Sequence, residues 1–216
     1  MPYRIIGPKS DPHSGSFSRL FDALRRHPGG DYPVVSDLFL SNLAPALWNA
    51  ADELGIDAYG LIAQAGKETN WGRFVYGDGL TPTPVQPWFC NTANLKIRYQ
   101  NQWYVYTGRL TSDIIEMRHE DPTAGDKPLS YQMFPSWPMG ARAHAQRIYV
   151  HAGGRVPITA DVVDPGWWAL SEQQSKGDSP IVQTWFELGN GVFNESAHYG
   201  RSIETIMDRF KEGSGR

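Results

Sequence analysis

This sequence has a single cysteine and lacks both long apolar runs and a recognisable leader. Cys90 is the one cysteine among 216 residues, so no disulfide can form within the chain. No segment approaches the ~20 consecutive apolar residues that a membrane-spanning helix needs. Met1–Pro8 contains no apolar run that suits a secretory signal peptide. We therefore expect a fold held together by its core, without membrane insertion and without a signal peptide.

Charge and histidine spacing give no support to nucleic acids, anionic membranes or metals as ligands. The formal net charge is −3 and 20% of the residues are charged, so no strongly basic surface is expected. His144 and His151 have no third ligand beside them, and the other histidines are scattered. We expect neither a metal nor another cofactor.

Cys90 is a candidate nucleophile only if a histidine from elsewhere in the chain meets it in space. It lies between Phe89 and Asn91 and has no local nucleophile signature. A buried small thiol is the favoured interpretation, and a cysteine peptidase is a distant alternative.

Aromatic residues, in contrast, are abundant. Trp, Tyr and Phe make up 12% of the chain, and eight residues are Trp. Core packing accounts for many such side chains. The functional interpretation of the others is a groove with aromatic faces, which suits flat and weakly charged ligands such as sugar rings.

Periodicity and helix breakers divide the chain into an N-terminal arm and a mainly helical domain. We predict an arm and a short helix over residues 1–35, a domain over 36–212 and a linker or tail over 213–216. Five helices are predicted in the domain. The first begins at a cap at Ser36 or Ser41 and ends at Leu54, and the second begins at the Asp57 cap and runs through Glu68. The other three are predicted over 136–149, near 180–188 and over about 196–211.

Between residues 103 and 134 the pattern changes to an alternation rich in Tyr, Val, Ile and Thr. This alternation predicts a small antiparallel β-hairpin or two. The predicted fold class is therefore mainly α (α+β), a helical bundle with a small β-hairpin insertion that lines a cleft.

Glu68 stands near the end of a mostly apolar helix, shortly before Trp71 and the helix-stopping Gly72. A carboxylic acid held against an aromatic wall can act as a general acid near neutral pH. Enzymes that cleave sugars need such an acid to protonate the departing glycosidic oxygen. The plainer interpretation is a solvated helix carboxylate. Gly66 is expected to allow close contact with a neighbouring helix.

Five segments, taken in order, resemble one known family. Ala63–Gly72 is similar to the Ala-Gln-Ala-Ala-x-Glu-Ser/Thr-x-Trp-Gly signature of the bacterial and phage endo-β-N-acetylglucosaminidase domain, a peptidoglycan hydrolase of the lysozyme superfamily. The other similar segments are Asn94–Ile97, Tyr131–Trp137, Trp185–Gly191 and Tyr199–Ile203. Together they extend over about residues 40–210. The family's glycine is missing at Lys96–Ile97, and Gly66 replaces an alanine.

The resemblance implies a lysozyme-like fold in which Glu68 is the general acid. Glu120 best matches the family's hairpin glutamate, Glu116 comes next, and the acetamido group of the substrate is a third candidate for the second catalytic group. A carboxyl separation of about 5–5.5 Å indicates a nucleophile, and about 6.5–9.5 Å leaves room for a water. Tyr199 matches a family tyrosine that lines the cleft, where it is expected to orient the acetamido group or a water.

Five further residues are expected to bind substrate. These are Gln64, Trp71, Asn94, Phe134 and Trp137. For the aromatic ones, core packing is an equally good interpretation. The amide of Gln64 lies one turn before Glu68, and its expected partner is a sugar, the acid or a buried polar group.

The implied function is hydrolysis of the β-1,4 bond on the reducing side of N-acetylglucosamine in peptidoglycan. The expected partner is the glycan strand, without nucleic acid, and the protein is expected to be a monomer. A phage lysin is the expected context, either cytoplasmic in the host until release or carried on a virion; a bacterial autolysin domain is the alternative. The rival functions are a lytic transglycosylase or muramidase with the same acid, and a non-catalytic cell-wall-binding module.

Overall fold

The computed structural model describes residues 2–7, 16–26, 35–75, 80–83, 85–95, 117–119, 129–132, 134–155 and 167–213. In these ranges the α-helices are α1 (Phe17–Arg25), α2 (Ala44–Leu54), α3 (Ala58–Glu68), α4 (Trp137–His151), α5 (Trp167–Lys176) and α6 (Tyr199–Gly213). Shorter helical turns are Phe39–Leu43, of π type, and Pro87–Phe89 and Trp185–Leu188, of 3-10 type. No helix of the described ranges is long and apolar enough to cross a membrane.

Capping residues set the ends of the helices that carry the site. The backbone N–H of Tyr59 donates to Asp57 Oδ1 at 3.0 Å and opens α3. Helix α2 ends at Gly55, whose φ of 68° is a left-handed conformation that costs a glycine little. Both boundaries agree with the predicted cap at Asp57 and the predicted break after Leu54.

The core lies where α2, α3, α4 and α6 meet. Helix α2 packs against α3 and α4, and α3 packs against α6. Each helix contributes fully buried side chains, for example Leu47, Leu61, Ile148 and Ile203. Burying apolar surface in this way is the main favourable contribution to folding. Helix α3 is therefore held on both sides, which fixes the position of its last residue, Glu68.

Residues 2–7 run in an extended conformation along the helical body. The backbone N–H of Ile5 donates to the carbonyl of Gln183 at 2.9 Å, and that of Asp57 donates to the carbonyl of Ile5 at 2.9 Å. Ile5 and Leu20, from the predicted arm and short helix, are both fully buried in the same core. The division of the chain at residue 35 stays a prediction.

The predicted α+β fold with a β-hairpin that lines a cleft is wrong. The regular structure of the described ranges is helical, apart from isolated β-bridges and one antiparallel pair of three-residue strands, β1 (Met117–His119) and β2 (Leu129–Tyr131). A ladder this short does not form an independent layer. Much of the alternation between 103 and 134 that favoured the hairpin lies outside the described residues. The fold class is therefore mainly α.

Sequence periodicity gives no sign of α5, and the helix predicted near 180–188 is only the 3-10 turn Trp185–Leu188. Leu170 of α5 is buried. Gln174 Nε2 donates to the carbonyl of Val150 at 2.9 Å, at the end of α4. A tertiary polar contact of this kind leaves no periodic signal in the sequence.

Candidate active site

Glu68 is the last residue of α3, and a left-handed turn follows it. Asn70 and Trp71 have φ values of 48° and 57°, a conformation that side-chain-bearing residues rarely adopt. The backbone N–H of Trp71 donates to the carbonyl of Gly66 at 2.7 Å, and that of Phe74 donates to the carbonyl of Thr69 at 2.9 Å. Backbone strain of this kind persists only where the surrounding structure holds it in place. The turn thus ends α3 sharply and leaves Glu68 at the edge of the helical body.

Trp71 lies in the core behind this turn. Its side chain is 1% exposed, and its ring centroid lies 5.3 Å from that of Phe39 and 6.0 Å from that of Phe210. A Cβ added to Gly66 would lie 2.5 Å from the Trp71 ring. The glycine therefore makes room for this indole, which lies closer to it than any neighbouring helix does.

Asn94 binds Glu68 from the loop 85–95. Its Nδ2 donates to Glu68 Oε2 at 2.8 Å and to the backbone carbonyl of Glu68 at 3.0 Å. Asn91 supports this loop, because its Nδ2 donates to the carbonyls of Leu95 and Gln132, each at 3.0 Å. The Asn94 amide is therefore held at a fixed distance from the carboxyl group.

Helix α4 fixes the same loop from the other side. A Cβ added to Gly140 would lie 1.6 Å from the carbonyl oxygen of Cys90, so only a glycine allows this approach.

Burial raises the pKa of the Cys90 thiol. A protonated thiol is a poor nucleophile, but Cys90 is half-buried and not the fully buried thiol that we expected.

Tyr199 binds the other oxygen of Glu68 from the first position of α6. Its Oη donates to Glu68 Oε1 at 2.5 Å, and its side chain is buried with its ring stacked on that of Phe193 at 5.8 Å. Burial raises the pKa of Tyr199 well above its usual range, and the charge of Glu68 and the hydrogen bond to it raise it further. The phenol therefore keeps its proton and remains a donor.

Behind Tyr199, a chain of buried polar side chains extends into the core. Gln64 Nε2 donates to Tyr199 Oη at 3.0 Å, and Gln64 Oε1 lies 2.9 Å from His144 Nε2. His144 Nδ1 lies 3.1 Å from Thr92 Oγ1. Burial lowers the pKa of His144 to about 3, and the charge of Arg147 contributes to the same shift. The imidazole is therefore neutral at ordinary pH.

The structure brings four of the predicted site residues together: Glu68, Gln64, Asn94 and Tyr199. Phe134 is buried with Ala93, Leu95 and Ala143. Trp137 is half-buried, with its ring 6.1 Å from that of Phe74. Glu116 and Glu120, the candidates for the second catalytic group, lie outside the described residues.

Two residues of the hydrogen-bond chain behind Tyr199, His144 and Thr92, are not among the predicted site residues. The signal for His144 is weak: one histidine among the small residues Ala141, Ala143 and Ala145 on a buried helix. A histidine in that setting must find a polar partner when it is buried. Nothing in the sequence marks Thr92.

Metal-binding geometry is absent from the residues that the structure describes. No group of three or more His, Cys, Asp and Glu side chains among them is arranged to hold a metal ion. Two of the groups that bind Glu68 are the neutral donors Asn94 Nδ2 and Tyr199 Oη.

Comparison with models of known protein families finds no match, and comparison with curated proteins finds none either. Among solved structures, the chain is similar to the catalytic domain of the autolysin Auto from Listeria monocytogenes. The TM-score is 0.44 and the identity 16%, over 86% of this chain and 89% of that chain.

Proposed function

We propose that this protein cleaves a glycosidic bond of bacterial peptidoglycan, with Glu68 as the general acid. The observation that carries the proposal is the placement of the Glu68 carboxyl group. It is partly exposed at the end of α3, and its two oxygens are bound by Tyr199 Oη and Asn94 Nδ2. A general acid needs both a fixed orientation and access to the oxygen that it protonates.

The segments that supply these three residues support the same proposal. Glu68, Asn94 and Tyr199 lie in three segments that resemble the glucosaminidase domain. They are far apart in the sequence, yet their side chains meet at one carboxyl group. Separate motif matches that converge in space are stronger support than any one of them alone.

In the proposed reaction the proton of Glu68 passes to the glycosidic oxygen as the bond from that oxygen to the anomeric carbon breaks. A water adds its oxygen to the anomeric carbon and gives up a proton, which restores the acid form of the site. The candidates for assisting this attack remain Glu120, Glu116 and the acetamido group of the substrate.

The finer parts of the proposal follow from the resemblance of the segments. The bond cleaved is the one on the reducing side of N-acetylglucosamine, and the substrate is a peptidoglycan glycan strand bound by a monomer. A phage lysin is the context we propose.

Product analysis tests the proposed reaction. Purified peptidoglycan is digested, the new ends are reduced with borohydride, and the products are identified by mass spectrometry. We expect new reducing ends at N-acetylglucosamine. Reducing ends at muramic acid would identify a muramidase, and anhydro-muramic ends a transglycosylase. Binding to the wall without any new ends would identify a binding module and overturn the proposal.

A further inference from the structure

We infer that His144 is a positioning residue for Glu68 and acts through Gln64 and Tyr199. In this arrangement the Tyr199 hydroxyl always donates to Glu68 Oε1. The transferable proton is then confined to Oε2, the oxygen next to Asn94. The inference rests on the proposed function, because it assigns which oxygen of the acid delivers the proton.

The geometry is a continuous chain of four hydrogen bonds. From the surface inward it joins Glu68 to Tyr199, Tyr199 to Gln64, Gln64 to His144, and His144 to Thr92, at 2.5, 3.0, 2.9 and 3.1 Å. The four residues behind Glu68 are all buried. Buried polar groups of this kind are costly unless each one is paired.

The direction of donation along this chain of hydrogen bonds follows from what each group is able to donate. It therefore does not depend on which atom of the Gln64 amide is assigned as nitrogen and which as oxygen. An ionised Glu68 accepts only, so Tyr199 donates to it. The oxygen of Tyr199 then accepts, and Gln64 presents its Nε2 there.

The same reasoning fixes the tautomer of the histidine. With Nε2 of Gln64 directed at Tyr199, the amide oxygen Oε1 faces His144. His144 Nε2 therefore carries the hydrogen, and its Nδ1 accepts from the hydroxyl of Thr92. Every donor in the chain points toward Glu68.

Reversing the chain would place the proton of Glu68 on Oε1, where it would point into the core at Tyr199. Apart from rotation of the Tyr199 and Thr92 hydroxyls, reversal needs two changes: a flip of the Gln64 amide, and movement of the ring hydrogen of His144 from Nε2 to Nδ1. The second change requires proton exchange at a ring that is shielded from water. Because that ring is also hard to protonate, His144 keeps its tautomer and locks the direction of the chain.

The informative variant is His144→Gln. A glutamine amide is able to bond to Gln64 in either direction, so the polar contact survives while the lock is lost. We expect kcat on peptidoglycan to fall by about tenfold, the size of one misdirected hydrogen bond, with KM unchanged. The matched control is His198→Gln, which makes the same substitution at an exposed histidine outside the hydrogen-bond chain and should leave both constants close to wild type.

A double-variant comparison separates positioning from a purely structural role. If His144 acts through Tyr199, then Tyr199→Phe combined with His144→Gln loses no more kcat than Tyr199→Phe alone. Losses that multiply would overturn the inference, because they would show that His144 acts independently of Tyr199.

Nitrogen NMR of the histidines gives a readout that does not need activity. With histidine labelled with 15N and the His144 signals assigned from the His144→Gln variant, we expect a neutral ring protonated at Nε2 only. A ring protonated at Nδ1, or an imidazolium, at the pH of the assay would overturn the inference. If the wild-type protein forms no new glycan ends, the proposed function fails, while the tautomer still decides the direction of the chain.

Discussion

At the scale of single residues, the burial of His144 links the stability of the site to pH. Burial lowers the pKa of His144 to about 3, assisted by the charge of Arg147, whereas a histidine in an unfolded chain titrates near ~6.5. Between these two values the unfolded state binds a proton that the folded state does not. The stability contributed by the neutral ring is therefore lost as the pH falls through this window.

We expect the free energy of unfolding of the wild-type protein to fall by ~1 kcal/mol per pH unit from this one group as the pH is lowered below ~6.5. Urea unfolding at several pH values between about 6.5 and 5 measures the slope. The His144→Gln variant, which cannot titrate, should show a clearly smaller slope. Equal slopes in the two proteins would contradict a neutral, buried His144.

The residues of the site differ in how far the sequence predicts them. Motif similarity predicts Glu68, Asn94 and Tyr199 as site residues, and the position of Gln64 one turn before Glu68 suggests a polar partner. It does not reveal that Gln64 bonds to Tyr199, 135 positions away, or to His144, 80 positions away. Such contacts are made by tertiary packing, and they leave no spacing in the sequence to recognise.

At the scale of elements, the junction of α3 with its left-handed turn determines where Glu68 is presented. The ring of Trp71 folds back over Gly66, where a Cβ would lie 2.5 Å from the ring. The helix thus keeps a residue of poor helix propensity so that the turn can close. Local signals predict the helix ends at Leu54 and Asp57 well, because those depend on caps and breakers.

The β-hairpin and α5 show the limit of local signals. Alternation favoured strands over a stretch whose described part has only the three-residue ladder of β1 and β2. Helix α5 has no apolar stripe that would reveal it, and Gln174 anchors it to the end of α4. Where an element depends on contacts with the rest of the fold, periodicity alone does not identify it.

A double-mutant cycle tests the contact between Gly66 and Trp71. Gly66→Ala should lower the free energy of unfolding by about 1–3 kcal/mol through overpacking, although alanine gains up to ~1 kcal/mol in helix propensity. In a Trp71→Phe background, where the larger ring is absent, the cost of Gly66→Ala should shrink by at least ~0.5 kcal/mol. Strict additivity, measured by urea unfolding, would show that the indole does not impose the glycine.

At the scale of the whole molecule, the N-terminal segment joins parts of the chain that are distant in sequence. The backbone N–H of Tyr3 donates to Glu204 Oε1 at 2.8 Å, and its hydroxyl donates to Asp208 Oδ1. Lys211 Nζ lies 3.6 Å from the centroid of the Tyr3 ring. These contacts are all on α6, the helix that begins with Tyr199. The first residues of the chain therefore support the helix that carries a partner of Glu68.

Truncating the buried Ile5 side chain tests how much residues 2–7 contribute to the stability of the fold. Ile5→Ala should lower the free energy of unfolding by about 2–5 kcal/mol, since Ile5 is fully buried. The control is the same substitution at Ile181, which is 55% exposed and should change stability by no more than ~0.5 kcal/mol. Thermal or urea unfolding compares the two, and equal effects would mean that residues 2–7 are not part of the core.

We propose that the Glu68 carboxyl group is the acid that cleaves the glycan, and the direct test of this role is the rate at which new reducing ends form on purified peptidoglycan. Glu68→Gln keeps the shape of the side chain but cannot supply the proton, so the rate should fall at least about a hundredfold. Glu195→Gln makes the same change at an exposed residue and should retain the wild-type rate. A Glu68→Gln protein that releases reducing ends as fast as the Glu195→Gln protein would contradict the claim.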